Sequence, residues 1–173
     1  MSELLVQFST STAFASKIIR RLTCSRWSHA GFIIGDSELG VSGPDKKLGD
    51  PGGVRLRKLP CWDYLYPPII ARVQCSDHVR DRTLDWAKGE IGKPFDDKAL
   101  YYFLRDRAGL PFAGREWRDP HKWFCSEFVA RALEFGGLFG YPLIQPKDYI
   151  SPNTLLCFLN PFLPADNIQE FNP

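Results

Sequence analysis

A cysteine stands at the head of a strongly apolar stretch, residues 123–133, where it could act as a nucleophile. Asp119 and Pro120 predict a turn just upstream, and apolar residues then recur at spacings of three and four, which predicts a helix with one buried face. The recurring residues are Phe124, Phe128, Ala132 and Phe135. Cys125 falls in the first turn, where free N–H groups and the positive end of the helix dipole favour a reactive thiolate. The alternative role is that of a small buried hydrophobic residue.

A histidine about a hundred residues upstream supplies a candidate base. Residues 27–35 are mostly apolar and end at Gly35 and Asp36, which predicts a short strand closed by a turn. If His29 lies beside Cys125, its imidazole can accept the thiol proton and later protonate the leaving group. A single strand histidine is more often a hydrogen-bonded core residue, so the two residues together point to chemistry more strongly than either does alone.

These two stretches resemble the circularly permuted NlpC/P60 group of papain-like cysteine hydrolases, which includes the YiiX/YaeF-like and the lecithin:retinol acyltransferase-like enzymes. The resemblance rests on Trp-Ser-His-Ala-Gly-Phe-Ile-Ile-Gly at 27–35 and Trp-Phe-Cys-Ser-Glu-Phe-Val at 123–129, and it extends over residues 4–160. The histidine precedes the cysteine, the reverse of the order in papain. The resemblance implies an α+β, papain-like fold. In this fold an antiparallel sheet of four to six strands packs against helices, and the nucleophile lies at the N-terminus of a helix.

The resemblance also implies roles for individual residues. Cys125 matches the nucleophile and His29 matches the general base. The third position is a polar residue on the next strand that orients the imidazole. Here the sequence departs from the pattern: we assign Ser42 as the nearest polar residue, with Glu38 as the second choice. The backbone N–H of Cys125 is the expected oxyanion donor.

Four further residues within the two motifs are candidates for a substrate groove. They are Trp27, Ser28, Trp123 and Glu127. The alternative for the two tryptophans is a place in the core, and for Glu127 it is a salt bridge or a helix cap.

The implied chemistry is acyl transfer through a Cys125 thioester, with no metal or organic cofactor. We expect a cysteine peptidase or amidase that cleaves a cell-wall peptide or a related amide. One alternative is a lipid or N-acyl amide acyltransferase or hydrolase of the same fold, and another is a binding or scaffold module whose site has decayed. A zinc site made by His29, His78, His121 and a cysteine has no recognised ligand spacing behind it.

Composition indicates one domain. At 173 residues, with 44% hydrophobic and 14% aromatic content, the chain can bury a sizeable single core. We expect this domain to occupy residues 1–163 and residues 164–173 to form a C-terminal tail. The net charge of +2 is too small to indicate a nucleic-acid or membrane-surface partner.

The cysteines and the N-terminus bear on location. Five cysteines are scattered without CxxC spacing, which argues against a disulfide framework and favours a reducing compartment. The sequence shows neither a signal-peptide pattern nor an apolar run long enough to span a membrane. The expectation is therefore a cytoplasmic protein without an integral membrane segment, which another route would have to export if its target lies outside the cell.

Patterning predicts the order of the elements. A strand followed by a helix opens the chain, three more strands follow the histidine strand, and helices dominate the second half. In the strand at 54–59, Val54 and Leu56 are expected to point inward. The predicted strands are 3–8, 27–35, 38–42, 54–59 and 69–73, and the predicted helices are 13–22, 76–89, 97–107, 123–133 and 153–159.

Overall fold

The computed structural model describes residues 1–45, 49–61, 63–98, 101–102, 105, 109, 119, 121–139 and 150–163, and the backbone of 168–170. The predicted helix at 97–107 lies mostly outside the described residues. The strands are β1 (Ser2–Ser9), β2 (His29–Ile34), β3 (Ser37–Ser42), β4 (Gly53–Lys58), β5 (Ile69–Cys75) and β6 (Ile168–Glu170). The helices are α1 (Phe14–Thr23), α2 (Asp77–Gly89), α3 (Cys125–Gly136) and α4 (Pro152–Leu159), followed by a 3₁₀ turn at Asn160–Phe162.

The six strands form one sheet in the order β4-β3-β2-β1-β5-β6. Every neighbouring pair is antiparallel. The predicted α+β class and the predicted antiparallel sheet are therefore confirmed. No described helix is both long enough and apolar enough to cross a lipid bilayer.

One face of this sheet is the core. Because successive side chains of a strand point to opposite faces, the register places Val6 beside Phe32 and Phe32 beside Leu39. All three side chains are fully buried. Their face is covered by α3, where the Phe128 ring meets the Phe32 ring edge-on at 6.3 Å between centroids.

The helix ends are set by local sequence. Ser76 caps α2 by accepting a hydrogen bond from the N–H of Val79. Helix α3 ends at Gly137, whose φ of 88° is the left-handed conformation that glycine adopts without strain. Near the same end, α2 and α3 approach so closely that a Cβ on Gly136 would overlap the Thr83 hydroxyl. The close approach at Gly136 packs the C-terminal end of α3 against α2.

Two predicted core residues are exposed instead. Leu56 is 53% exposed because β4 is an edge strand and the helices pack mainly on β1, β2, β3 and β5. Phe135 is also 53% exposed, at the outer side of α3, where the Arg82 guanidinium lies 5.5 Å from the centre of its ring.

The predicted tail also contributes to the sheet. Ile168–Glu170 pairs with β5 as a sixth strand, through Ala71 opposite Ile168 and Ile69 opposite Glu170. Residues 168–170 of the predicted tail thus belong to the sheet, and the domain boundary at residue 163 stays a prediction.

Candidate active site

Two glycines make room for a buried pair of charged side chains on the sheet. Gly31 lies directly opposite Gly40, and Glu38 lies opposite Ile33, so His29, Gly31, Glu38 and Gly40 share one face. A Cβ on Gly31 would lie 2.7 Å from the Glu38 carboxyl carbon. A Cβ on Gly40 would lie 2.9 Å from Oε1 of Glu38 and 3.3 Å from Nε2 of His29. Any larger residue at either position would enter the space where the imidazole and the carboxylate meet.

His29 and Glu38 meet in that space. Nε2 of the imidazole lies 2.8 Å from Oε1 of the carboxylate. His29 is 8% exposed and Glu38 is fully buried. Glu38, the second choice for the residue that orients the imidazole, thus contacts Nε2 of His29. Ser42, the first choice, is half-buried at the end of β3 opposite Gly53.

The far oxygen of Glu38 is held by β1, a contact that the sequence analysis missed. The side-chain amide of Gln7 donates a hydrogen bond of 2.9 Å to Oε2 of Glu38 and a second one of 3.1 Å to the hydroxyl of Tyr64. Gln7 is fully buried and lies opposite Gly31 in the sheet. The carboxylate is therefore fixed from both sides, by Gln7 and by His29.

Cys125 reaches the same place from α3. The segment just before Cys125 is held in place by an isolated parallel β-bridge between Phe95 and Trp123. In this bridge, Trp123 N–H donates to the Pro94 carbonyl at 3.1 Å and Asp96 N–H donates to the Trp123 carbonyl at 3.0 Å. Cys125 is 3% exposed, and its Sγ lies 3.8 Å from the carbonyl oxygen of Ser28, the residue before His29. The structure thus brings together the two residues on which the sequence hypothesis depends.

The charges around His29 favour its protonated form. Burial of the imidazole acts to lower its pKa, but the charge of Glu38, hydrogen bonds with Cys125 and Glu38, and the charge of Cys125 all raise it. The net result raises the pKa of His29 from 6.5 to about 10. At neutral pH, the ring is therefore an imidazolium between a carboxylate and a sulfur.

The four groove candidates all lie inside the protein. Trp27, Ser28, Trp123 and Glu127 are between 4% and 7% exposed. The Ser28 hydroxyl pairs with the Ser16 hydroxyl at 2.7 Å, and the Trp123 indole donates to Glu90 at 2.6 Å. These contacts suit structural roles, and the groove assignment stays a prediction.

The described residues do not form a metal site. No group of three or more His, Cys, Asp or Glu side chains within the described ranges could hold an ion. His78 lies in the first turn of α2 and His121 in the turn before α3, so the histidines of the zinc hypothesis lie on separate elements.

Fold and site together define an α+β protein in which a helix-terminal cysteine meets a histidine and a glutamate from a glycine-containing hairpin. The structure is similar to the crystal structure of the metalloprotein YiiX from Escherichia coli O157:H7, with a TM-score of 0.54 and 19% sequence identity. The match covers 96% of this chain and 87% of that one, and at this identity it shows a shared fold alone. No protein-family model and no curated protein matches the chain.

Proposed function

We propose that this chain is a thiol-dependent hydrolase that cleaves an amide bond through a Cys125 thioester. His29 is the general acid and base, and Glu38 is the positioning residue that takes the role predicted for Ser42. The observation that carries the proposal is the buried His29–Glu38 contact of 2.8 Å beside a cysteine at a helix N-terminus. A histidine held in one orientation next to a thiol is the arrangement that nucleophilic catalysis requires.

The reaction proceeds in two halves. The Cys125 thiolate attacks the carbonyl carbon of the amide, and the tetrahedral intermediate collapses as the His29 imidazolium donates its proton to the leaving amine. The product of this half is a thioester and a neutral imidazole. A water molecule then attacks the thioester while His29 accepts its proton, and the released carboxylic acid leaves the thiolate and imidazolium restored.

Two features of the fold support these steps. The buried charge of Glu38 stabilises the imidazolium that must donate the proton. The N–H groups in the first turn of α3 have no acceptor within the helix itself, and the Cys125 N–H is the first candidate donor to a negative oxygen that forms beside the sulfur.

The likeness to permuted papain-like hydrolases supports the class of substrate. In the described chain, His29 precedes Cys125 and lies in a sheet that α3 covers, as the resemblance implies. We propose a cell-wall peptide or a related amide as the substrate, with a lipid or N-acyl amide as the alternative. The fully assembled His29–Glu38 pair argues against a decayed binding module.

A thiol probe tests the mechanism. We expect iodoacetamide near neutral pH to alkylate Cys125 faster than the exposed Cys24 and Cys157, as measured by peptide mass spectrometry. The His29→Ala variant should lose this preference, by roughly a hundredfold in rate. Equal reaction of Cys24, Cys157 and Cys125 in the native protein would contradict the mechanism.

A substrate panel tests the amide specificity in the same preparation. Muropeptides, N-acyl amino acids and phospholipids are incubated with the native protein and with Cys125→Ala. Release of amines from muropeptides by the native form alone supports the proposal. Turnover confined to phospholipids would replace it with the lipid alternative.

A further inference from the structure

Basic residues are concentrated in one stretch near the N-terminus. Between Leu4 and Gly35 the sequence has four basic residues and no acidic one. The four are Lys17, Arg20, Arg21 and Arg26. The net charge of the whole chain is only +2, which by itself indicates no membrane-surface partner. A net value does not show that basic residues are concentrated in one stretch.

These four cations differ from seven other lysines and arginines that the structure describes. Seven lysines and arginines elsewhere form ion pairs: Arg55, Arg57, Arg72, Arg80, Lys93, Lys122 and Arg131. None of the four in the basic stretch forms an ion pair within the part of the chain that the structure describes. Their charge is therefore open to a partner.

Helix α1 combines this charge with exposed apolar surface. Its buried side carries Ser16 and Ile19, and Phe14 on the opposite side is 78% exposed. Ile18 follows Phe14 by four residues and lies on the same outward face. Lys17 and Arg21 are also exposed and four residues apart. Like charges at this spacing repel each other and destabilise the helix, so an anionic partner would stabilise it.

The loop beside α1 adds to the same surface. The Leu65 N–H donates a hydrogen bond of 2.8 Å to the Thr10 carbonyl, which ties this loop to the start of the helix. Leu65 and Tyr66 are 39% and 38% exposed. The guanidinium groups of Arg26 and Arg20 lie 4.9 Å and 5.8 Å from the centre of the Tyr66 ring. Cations and apolar side chains are thus interleaved on one patch.

We propose that this patch, which we call the α1 surface, docks the protein on a lipid bilayer that contains anionic lipids. The α1 surface consists of Phe14, Lys17, Ile18, Arg20, Arg21, Arg26, Leu65 and Tyr66. Exposed aromatic and aliphatic side chains enter the headgroup region while Lys and Arg contact anionic headgroups, which is how interfacial helices bind membranes. The docking does not depend on the cysteine mechanism.

A membrane fits this patch better than a nucleic acid does. Phe14 offers one open ring on which a base could stack, but the Tyr66 ring is approached by two guanidinium groups, and Ile18 and Leu65 are aliphatic. Aliphatic side chains gain instead from burial among acyl chains.

Docking there would place the candidate active site close to the bilayer. The buried side of α1 touches the residue that precedes His29, because the Ser16 hydroxyl pairs with that of Ser28. The Ser28 carbonyl in turn contacts the sulfur of Cys125.

Vesicle co-sedimentation tests the proposal with the full chain. We expect binding to phosphatidylcholine vesicles that contain about a quarter phosphatidylglycerol, little binding to pure phosphatidylcholine, and loss of binding in roughly 0.5 M salt. The double variant Lys17→Glu/Arg21→Glu should lower the partition coefficient by more than about tenfold. Phe14→Ser should lower it by roughly fivefold and leave the dependence on salt unchanged.

A matched control separates local docking from overall charge. The double variant Lys58→Glu/Lys88→Glu makes the same change in net charge at two other exposed positions and should bind like the native protein. All variants should keep the native circular dichroism spectrum and melting temperature, since the changed side chains are exposed. Equal losses in both double variants, or a single-stranded RNA oligonucleotide bound more tightly than the vesicles, would overturn the proposal.

Discussion

The protonation state of His29 decides when the proposed chemistry can run. An imidazolium whose pKa is raised to about 10 donates a proton to a leaving group at neutral pH and stops doing so only in alkaline solution. The charge of Glu38 is the largest cause of this rise in the pKa of His29. A substitution that removes the charge and keeps the size of the side chain therefore measures its effect.

We predict that Glu38→Gln moves the alkaline limit of activity to lower pH. The native protein should lose turnover as the pH rises through about 10, because a neutral imidazole has no proton for the leaving amine. Glutamine keeps the size of the side chain but removes the charge that raises the pKa of His29, whereas burial continues to lower that pKa. The proton is therefore lost at lower pH, and the rate at pH 7 should fall by roughly tenfold or more.

The pH profile of the rate constant measures this shift, and Glu3→Gln is its control. Glu3 carries the same charge in an exposed part of β1, and its carboxylate contacts Arg72 and Gln74. This variant should keep the native alkaline limit. If the two glutamine variants shifted the limit equally, Glu38 would have no special influence on His29.

At the scale of elements, the β2–β3 hairpin is the part of the fold that builds the site. A two-residue turn at Gly35 and Asp36 sets the register, with Ile34 opposite Ser37. This register places Gly31 and Gly40 side by side and leaves a gap in the row of side chains. The diagonal contact between His29 and Glu38 crosses this gap.

We predict that Gly40→Ala and Gly31→Ala disable the site while the sheet still forms. Each new methyl group would lie within 3.0 Å of the Glu38 carboxyl group, so Glu38 must move away from His29. Overpacking of this kind costs about 1–3 kcal/mol of stability. Turnover and selective alkylation of Cys125 should fall by at least about tenfold as the imidazole loses its orientation.

Gly89→Ala is the control for these variants. A Cβ at this position meets nothing within 4 Å, and residue 89 lies at the end of α2. Its stability should be unchanged or rise by up to about 1 kcal/mol, with native alkylation. Native alkylation in Gly40→Ala would show that Glu38 does not position His29.

The sequence contains enough information for the hairpin but not for the contact across it. The apolar pattern identifies both strands, and the motifs identify His29 and Cys125. The sequence ranks Glu38 below Ser42 because Ser42 is the polar residue nearest to the position that the resemblance implies. Counting from the Gly35–Asp36 turn pairs Gly31 with Gly40, and the spacing His29-x-Gly31 and Glu38-x-Gly40 is the signal that could have identified Glu38.

Other features depend on long-range packing that local patterns do not encode. Leu56 alternates correctly for a buried strand residue, yet it is exposed because β4 is at the edge of the sheet. Gln7 reads as an ordinary polar residue of β1. Its role follows only from the register of β1 with β2, which brings it opposite Gly31.

At the scale of the whole molecule, β4 and β5 are each covered over part of their outer side. The outer side of β4 is covered by the turn after α2, since Val54 N–H donates to the Lys93 carbonyl at 2.8 Å and Gly92 N–H donates to the Val54 carbonyl at 3.0 Å. The outer side of β5 is covered by β6. Unprotected edges pair with other chains, so both coverings favour a protein that stays dispersed.

We predict that deletion of residues 164–173 makes the protein aggregate. Without β6, the backbone of Ile69, Ile70 and Ala71 becomes an open edge that can add a strand from another molecule. Deletion of residues 171–173 alone keeps β6 and serves as the control. Light scattering on heating should show an earlier and larger rise for the longer deletion, with a lower melting temperature. Identical scattering for the two deletions would mean that the domain ends at residue 163, as the composition suggested. The longer deletion should also weaken the candidate active site. Loss of β6 loosens β5, β5 pairs with β1, and β1 carries the Gln7 side chain that holds Glu38.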